Sequence, residues 1–146
     1  MLKEMLIKDD LICIQEEVKD WKEAVIKGVA LLTRADVVEP RYCDAILSST
    51  EKVGPYYVIC PGVAMPHSRP EDGVKRNGVS IMTLKTPVFF GNVENDPVRI
   101  IISLAATDNV SHLDMMKEIA ELFSSQEAID QLQSATTTEV ALEVFK

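Results

Sequence analysis

Residues 56–73 read YYVICPGVAMPHSRPEDG, and this stretch does most to decide the fold. It joins a short apolar run, residues 56–60, to a segment with three prolines and two glycines. Proline fixes φ and glycine permits tight turns, so we predict a strand followed by a stiff loop. The loop carries His67, one of two histidines in the chain, where a rigid backbone can hold an imidazole at a fixed angle. A surface turn that merely contains a histidine is the alternative interpretation.

Outward from this stretch, the hydrophobic period predicts helices before and after a set of short apolar strands. Strands are predicted at 11–14, 56–60, 79–84 and 98–105, with 87–90 as an edge strand that tolerates its proline. Asp20 followed by Glu23 resembles a capping box and predicts a helix at 21–33. Further helices are predicted from Pro40 to Gly54, from Ser111 onward, at 125–132 and at 138–145. The helix from Ser111 is expected to bury Leu113, Met116, Ala120 and Phe123. Near-continuous apolar strands are covered on both faces, so the pattern indicates an α/β layered fold.

Length and composition set the limits. The chain has 146 residues, 47% of them hydrophobic, which favours a single domain over residues 1–146. A net charge of −8 argues against nucleic acid and anionic lipid as partners. No apolar run is long enough to span a bilayer and no signal peptide is visible, so a cytoplasmic location is expected. Cys13, Cys43 and Cys60 are widely spaced and predict reduced thiols without a disulfide framework.

The candidate site residues are His67, Arg69 and His112. Imidazole titrates near neutrality and is a nucleophile that needs little activation, while the arginine fork suits phosphate oxygens. The second histidine follows strand 98–105 at a helix start, where backbone N–H groups favour an anion. Together these parts favour phosphoryl transfer. Two alternatives remain open: His112 as a capping or half-buried polar residue, and Arg69 as a partner of Glu71 or Asp72.

Other kinds of site are weaker. Zinc requires three or four ligands, and two histidines without a cysteine cluster do not supply them. A hydrolase using Cys60 and His67 would need an activated thiol, but Cys60 lies in an apolar run with no activating charge nearby. We therefore expect no metal and no cofactor.

Residues 54–73, with the string CPGVAMPHSRPEDG, resemble the active-site region of IIA components of the phosphoenolpyruvate-dependent sugar phosphotransferase system. Within its mannitol/fructose superfamily they are most similar to the ascorbate-type branch, where an APGxAMPHxRPEDG-like string is characteristic. The similarity extends from the helix start at Asp20 to Leu113, but only the long motif is specific. The resemblance implies a mixed sheet of about five strands sandwiched between helices, in agreement with the α/β prediction.

The resemblance also implies roles. His67 matches the phosphorylated histidine, which receives phosphate from the histidine-containing phosphocarrier protein and passes it to a cysteine of a IIB component. His112 matches the second active-site histidine, which holds or orients the first. Val63 and Met65 are expected to offer an apolar docking surface to these partners.

The chain departs from the family pattern at two positions. Mannitol-type members carry an arginine where this chain has Glu51, and a carboxylate cannot stabilise phosphate oxygens. Our hypothesis is that Arg69 fills this role from the other side of His67. Cys60 stands where a small residue such as alanine is usual, which we interpret as packing.

The leading hypothesis is thus a phosphohistidine carrier for sugar uptake, with ascorbate or a related acid as the substrate suggested by the branch. A regulatory module that signals through phosphorylation-dependent partner binding is the alternative. A IIA component touches other proteins and not the sugar, so its residues do not define the substrate. The sequence leaves open a monomer or a homodimer.

Overall fold

The computed structural model describes residues 2–145, which form a five-stranded mixed sheet and six α-helices. The strands are β1 Ile12–Glu16, β2 Val58–Cys60, β3 Val63–Ala64, β4 Gly78–Val88 and β5 Val98–Ala105. The helices are α1 Leu2–Asp9, α2 Trp21–Arg34, α3 Arg41–Val53, α4 Asn109–Leu122, α5 Gln126–Ser134 and α6 Thr138–Leu142, with one 3-10 turn at Pro70–Asp72. No helix in this described range is long and apolar enough to cross a membrane.

The sheet has the order β1-β4-β5-β3-β2. The β1–β4 and β3–β5 pairs are parallel, whereas β4–β5 and β2–β3 are antiparallel. In the central strand β5, every residue from Ile100 to Ala105 is buried, so both faces of the sheet are covered there. The predicted α/β fold with a mixed five-stranded sheet is confirmed.

Helix α2 packs closely on the centre of the sheet. Its start at Trp21 follows Asp20, whose side chain accepts a hydrogen bond from the Glu23 N–H at 2.9 Å, as the capping pattern predicts. Gly28 lets the helix approach β5, because a Cβ at this position would lie 2.9 Å from the Ser103 Oγ. The backbone of α2 at Gly28 therefore lies directly against the side chains of β5.

Helix α3 begins at Arg41 after Pro40 and ends at Val53 before Gly54, close to the predicted bounds. Gly54 has φ 89°, in the left-handed region that favours glycine at a helix end. The helix buries Tyr42, Ile46 and Thr50 against the sheet. The adjoining face, with Ala45, Ser49 and Lys52, lines the candidate site.

Helix α4 differs from the prediction in its first residue and in its buried face. It starts at Asn109, because the Asp108 side chain caps it by accepting from the Ser111 N–H at 2.7 Å. Of the predicted stripe, Leu113 and Ala120 are exposed, Met116 is half-buried and Phe123 is buried as expected. The residues that the helix itself buries are Met115 and Ile119. The true buried face is rotated by about one residue, or about 100°, from the predicted one.

Three segments were missed or misassigned from the sequence. Val63–Ala64 falls in the predicted loop but forms β3, and Leu2–Asp9 forms α1, which no sequence pattern indicates. The suggested edge strand 87–90 is not a separate strand, because β4 continues to Val88. The β3 strand matters most, since it places the histidine loop beside β5.

Candidate active site

The two histidines meet at one edge of the sheet. His67 follows β3, and His112 lies in the first turn of α4, which follows β5. Because β3 and β5 are parallel neighbours, their carboxyl ends lie side by side. The imidazole centroids are 5.2 Å apart, with ring planes at 44°. The sequence-based expectation that both rings share one edge agrees with this geometry, although the strand that leads into His67 is β3 and not 56–60.

A hydrogen bond fixes the tautomer of His67. The Nδ1 atom lies 2.9 Å from the main-chain oxygen of Met65. A carbonyl oxygen only accepts, so Nδ1 must carry a proton and donate it. In the neutral ring the lone pair is then on Nε2. The ring is half-buried, and its Nε2 is the nitrogen available for chemistry.

The loop that carries His67, residues 65–73, is held by the Tyr42 hydroxyl. This hydroxyl donates to the Leu104 carbonyl oxygen of β5 at 2.7 Å and accepts from the Ser68 N–H at 2.9 Å. The Tyr42 side chain is fully buried. Burial raises the pKa of its phenol, so the hydroxyl stays protonated and can keep both bonds. One side chain thus connects α3, β5 and the loop.

Tyr56 supports the His67 ring from outside. The two rings meet edge to face, with centroids 5.9 Å apart and planes at 79°. The Tyr56 hydroxyl also points at the His67 main-chain oxygen, at 3.4 Å. Half of Tyr56 is exposed, so the same ring forms part of the surface that surrounds the histidines.

The surroundings of His112 favour its neutral imidazole. Burial lowers the pKa of His112, and the proximity of His67 lowers it further. The backbone N–H groups expected to attract an anion here are partly committed, because the Asp108 carboxylate accepts from one of them. Hydrogen bonds from Ser111 in turn hold the pKa of Asp108 below its usual range. The helix start is therefore less suited to an anion than the sequence suggested.

Both histidines line an open cavity of about 590 Å³. Its walls come from α3, the histidine loop and the start of α4. Its cationic side chains are Lys52 and Arg69, and its carboxylates are Asp72 and Asp108. The cavity thus combines two imidazoles with charges of both signs.

Arg69 lies on the cavity but is 77% exposed, and its Nε is 3.9 Å from the Asp72 Oδ2. Ser68 donates a very short hydrogen bond to the same carboxylate oxygen. Both sequence-based interpretations of Arg69 therefore describe part of its setting: it faces the cavity, and it is paired with Asp72. Glu51 does not line the cavity, and its carboxylate is 3.0 Å from the Lys22 Nζ on α2.

The structure brings three further side chains to the site that the sequence analysis did not assign to it: Tyr42, Tyr56 and Lys52. The sequence does not single out Tyr42, and nothing in it indicates the bonds of the Tyr42 hydroxyl. The sequence carries no signal for Lys52 either, because Glu51 is its charged neighbour and only the fold determines which of the two faces the cavity.

Cys60 is not part of the histidine site. It lines a separate apolar cavity of about 280 Å³, and burial raises the pKa of its thiol. An inert thiol away from the His67 cavity does not support a Cys–His hydrolase. Within residues 2–145 no three His, Cys, Asp or Glu side chains form a cluster that could hold a metal ion.

The expected docking surface was wrong in its residues. Val63 and Met65 are fully buried, because β3 lies inside the sheet between β5 and β2. The exposed apolar side chains near the cavity belong instead to Val53 at 70%, Val110 at 71% and Leu113 at 66%, together with Tyr56. These four side chains are called the apolar rim below.

Comparison with known proteins agrees with the site. Residues 5–146 match the family described as "Phosphoenolpyruvate-dependent sugar phosphotransferase system, EIIA 2". The chain is 46% identical over 145 residues to the ascorbate-specific PTS system EIIA component of Escherichia coli K12, covering 99% of this chain and 94% of that protein.

Two solved structures extend the comparison to the fold. The mannitol-specific cryptic phosphotransferase enzyme IIA CmtB from Escherichia coli has a TM-score of 0.88 and 32% identity, covering 99% of this chain and 97% of that one. The complex of enzyme IIAMTL and phosphorylated enzyme IIBMTL from Escherichia coli matches with a TM-score of 0.82 and 27% identity, over 92% and 93% of the two chains. The family resemblance found in residues 54–73 is confirmed: this chain belongs to the EIIA 2 family of the phosphoenolpyruvate-dependent sugar phosphotransferase system.

Proposed function

We propose that this chain is a phosphohistidine carrier in which the Nε2 atom of His67 bears the phosphoryl group. The observation that supports the proposal is the hydrogen bond from Nδ1 to the Met65 oxygen, which leaves the Nε2 lone pair at a large open cavity. A nucleophile held in one tautomer and one orientation loses little entropy on reaction. We also infer that residues 1–146 form one IIA domain and that it acts in the cytoplasm.

The transfer itself needs no cofactor. The Nε2 lone pair forms a bond to phosphorus as the bond between phosphorus and the donor imidazole breaks, and that electron pair returns to the donor nitrogen. In the second transfer a thiolate attacks phosphorus as the bond between phosphorus and Nε2 breaks. That electron pair returns to Nε2, which restores neutral His67. The His112 ring, whose neutral form burial favours, lies 5.2 Å from the His67 ring between centroids and can donate a hydrogen bond to the phosphoryl oxygens. Arg69 offers positive charge at the cavity mouth.

The proposed partners are the histidine-containing phosphocarrier protein and a IIB component. A solved relative is a IIA in complex with a phosphorylated IIB, which supports the second partner. The apolar rim around the cavity provides a small docking surface of the kind that transient complexes use. The 46% identity to an ascorbate-specific EIIA component supports ascorbate, or a related acid, as the sugar taken up at the end of the relay.

The test is incubation with phosphoenolpyruvate, the general phosphotransferase proteins and either wild-type or His67→Ala chain. Mass spectrometry should show one added phosphoryl group on the wild type and none on the variant, with the same unfolding midpoint for both. A wild type that gains no phosphoryl group would refute the proposal. A labelled wild type that does not pass the group to its IIB component would favour the regulatory alternative.

A further inference from the structure

One face of α3 forms a wall of the histidine cavity. The lining residues of this helix follow the helical period and are Ala45, Ser48, Ser49, Lys52 and Val53. Small side chains occupy the first three positions and leave space beside the imidazoles. The long side chain of Lys52 stands at the end of this face, in the last turn of the helix. The wall therefore presents a single cation, that of Lys52, among uncharged side chains.

Lys52 differs from the charged residues around it in having no fixed partner. Within residues 2–145, no hydrogen bond or ion pair holds its ammonium group. Its neighbour Glu51 points to the other side of α3, where it pairs with Lys22. Arg69, the other cation of the cavity, faces the Asp72 carboxylate. The positive charge of Lys52 is thus the one that the cavity leaves uncompensated.

The cavity also needs such a charge. Asp72 and Asp108 line it, and a phosphoryl group on His67 would add further negative charge. Like charges in one site raise the free energy of the phosphorylated state and of the transition state that leads to it. An ammonium on a flexible stem can reach phosphoryl oxygens as a point charge and offset this repulsion.

We propose that Lys52 binds the phosphoryl oxygens of phosphorylated His67 and of the transition state that forms it. The inference rests on the proposed function, since it assigns a further residue to the same transfer. Lys52 makes and breaks no covalent bond. Its ammonium stays protonated while the new bond from phosphorus to the His67 Nε2 forms and the bond to the donor breaks. This assignment gives the cationic role sought for Arg69 mainly to a residue on α3.

The experiment uses two donors that differ in size. Phosphoramidate is a small donor: its phosphorus–nitrogen bond breaks as the bond to Nε2 forms, and ammonia leaves. The phosphocarrier protein is the natural class of donor and must also dock. Rates of His67 phosphorylation are measured with both donors for wild type, Lys52→Gln, Lys52→Arg and the matched control Lys22→Gln. Lys22 lies on the opposite side of α3 from the cavity, paired with Glu51.

With both donors, Lys52→Gln is expected to slow phosphorylation on the order of tenfold. This is less than the roughly 100- to 1000-fold loss for a donor in a water-excluded site, because the cavity is open and solvent screens the charge. Lys52→Arg should retain most of the rate, and Lys22→Gln should match the wild type. Loss with the protein donor alone would make Lys52 a docking residue and overturn the proposal. Equal rates for wild type and Lys52→Gln would also overturn it. A wild type that neither donor labels would instead refute the proposed function itself.

Discussion

Replacing Tyr42 by phenylalanine removes one oxygen atom that joins three parts of the protein. The Leu104 carbonyl would lose a donor at 2.7 Å and the Ser68 N–H would lose an acceptor at 2.9 Å. An unpaired buried polar group costs about 1–3 kcal/mol. The Leu104 group is buried, whereas water can reach half-buried Ser68, so we expect a loss of about 2–3 kcal/mol in the free energy of unfolding. For a chain of this length the midpoint should fall by about 5–10 °C.

Tyr57→Phe provides the matched control. Its hydroxyl is also buried and bonds to the Thr50 Oγ1 at 2.8 Å, but it makes no bond to the histidine loop. Urea unfolding should show a loss of stability in both variants. Only Tyr42→Phe should also slow phosphorylation of His67, by about tenfold, since a displaced loop misaligns the nucleophile. A Tyr42→Phe chain within about 0.5 kcal/mol of wild type, the usual range for an unimportant surface change, would refute this reasoning, as would equal slowing in both variants.

Three further predictions concern other residues. In an NMR titration His112 should titrate below the ordinary value of about 6.5, because burial and His67 lower its pKa. The unfolded chain then binds a proton at His112 more tightly than the folded chain does. The contribution of His112 to the free energy of unfolding is therefore complete above about pH 6.5 and is lost as the pH falls. In urea unfolding at successive pH values, His112→Gln should lose less stability at low pH than the wild type. Gly28→Ala should cost about 1–3 kcal/mol in thermal unfolding, and adding Ser103→Ala should recover part of it, because the new Cβ would lie 2.9 Å from the Ser103 Oγ; no recovery would mean that the clash is not with this hydroxyl. Arg69→Ala should slow His67 phosphorylation at an unchanged unfolding midpoint, and an unchanged rate would exclude Arg69 from the site.

The positions of the helices and strands were predicted better from the sequence than the side of each helix that is buried. Helix α2 was found from its cap and its apolar spacing, because both signals are local. The face of α4 was wrong because Leu113 and Met115 are both apolar and the period alone does not choose between them. Only the position of the cap at Asp108 and the packing on the sheet decide which side chain is buried.

The candidate site shows the same division. His67 and His112 were found because histidines are rare in this chain and both follow apolar strands. The wall of α3 was not found, because Lys52 and Glu51 are adjacent charged residues and only the fold determines which one faces the cavity. The docking surface was misplaced for a related reason. Val63 and Met65 are close to His67 in sequence, but both are buried. Val63 belongs to the two-residue strand β3, and Met65 follows directly after it.

The acceptor that orients the His67 ring belongs to the main chain of Met65. Every amino acid carries this oxygen, so the conformation of the backbone, and not the identity of a side chain, selects the reactive nitrogen. Substitutions at position 65 can alter the packing of the interior without removing this oxygen. The side chain at position 65 can therefore change during evolution while the reactive nitrogen of His67 stays the same. A comparison of side chains alone does not explain why it stays the same.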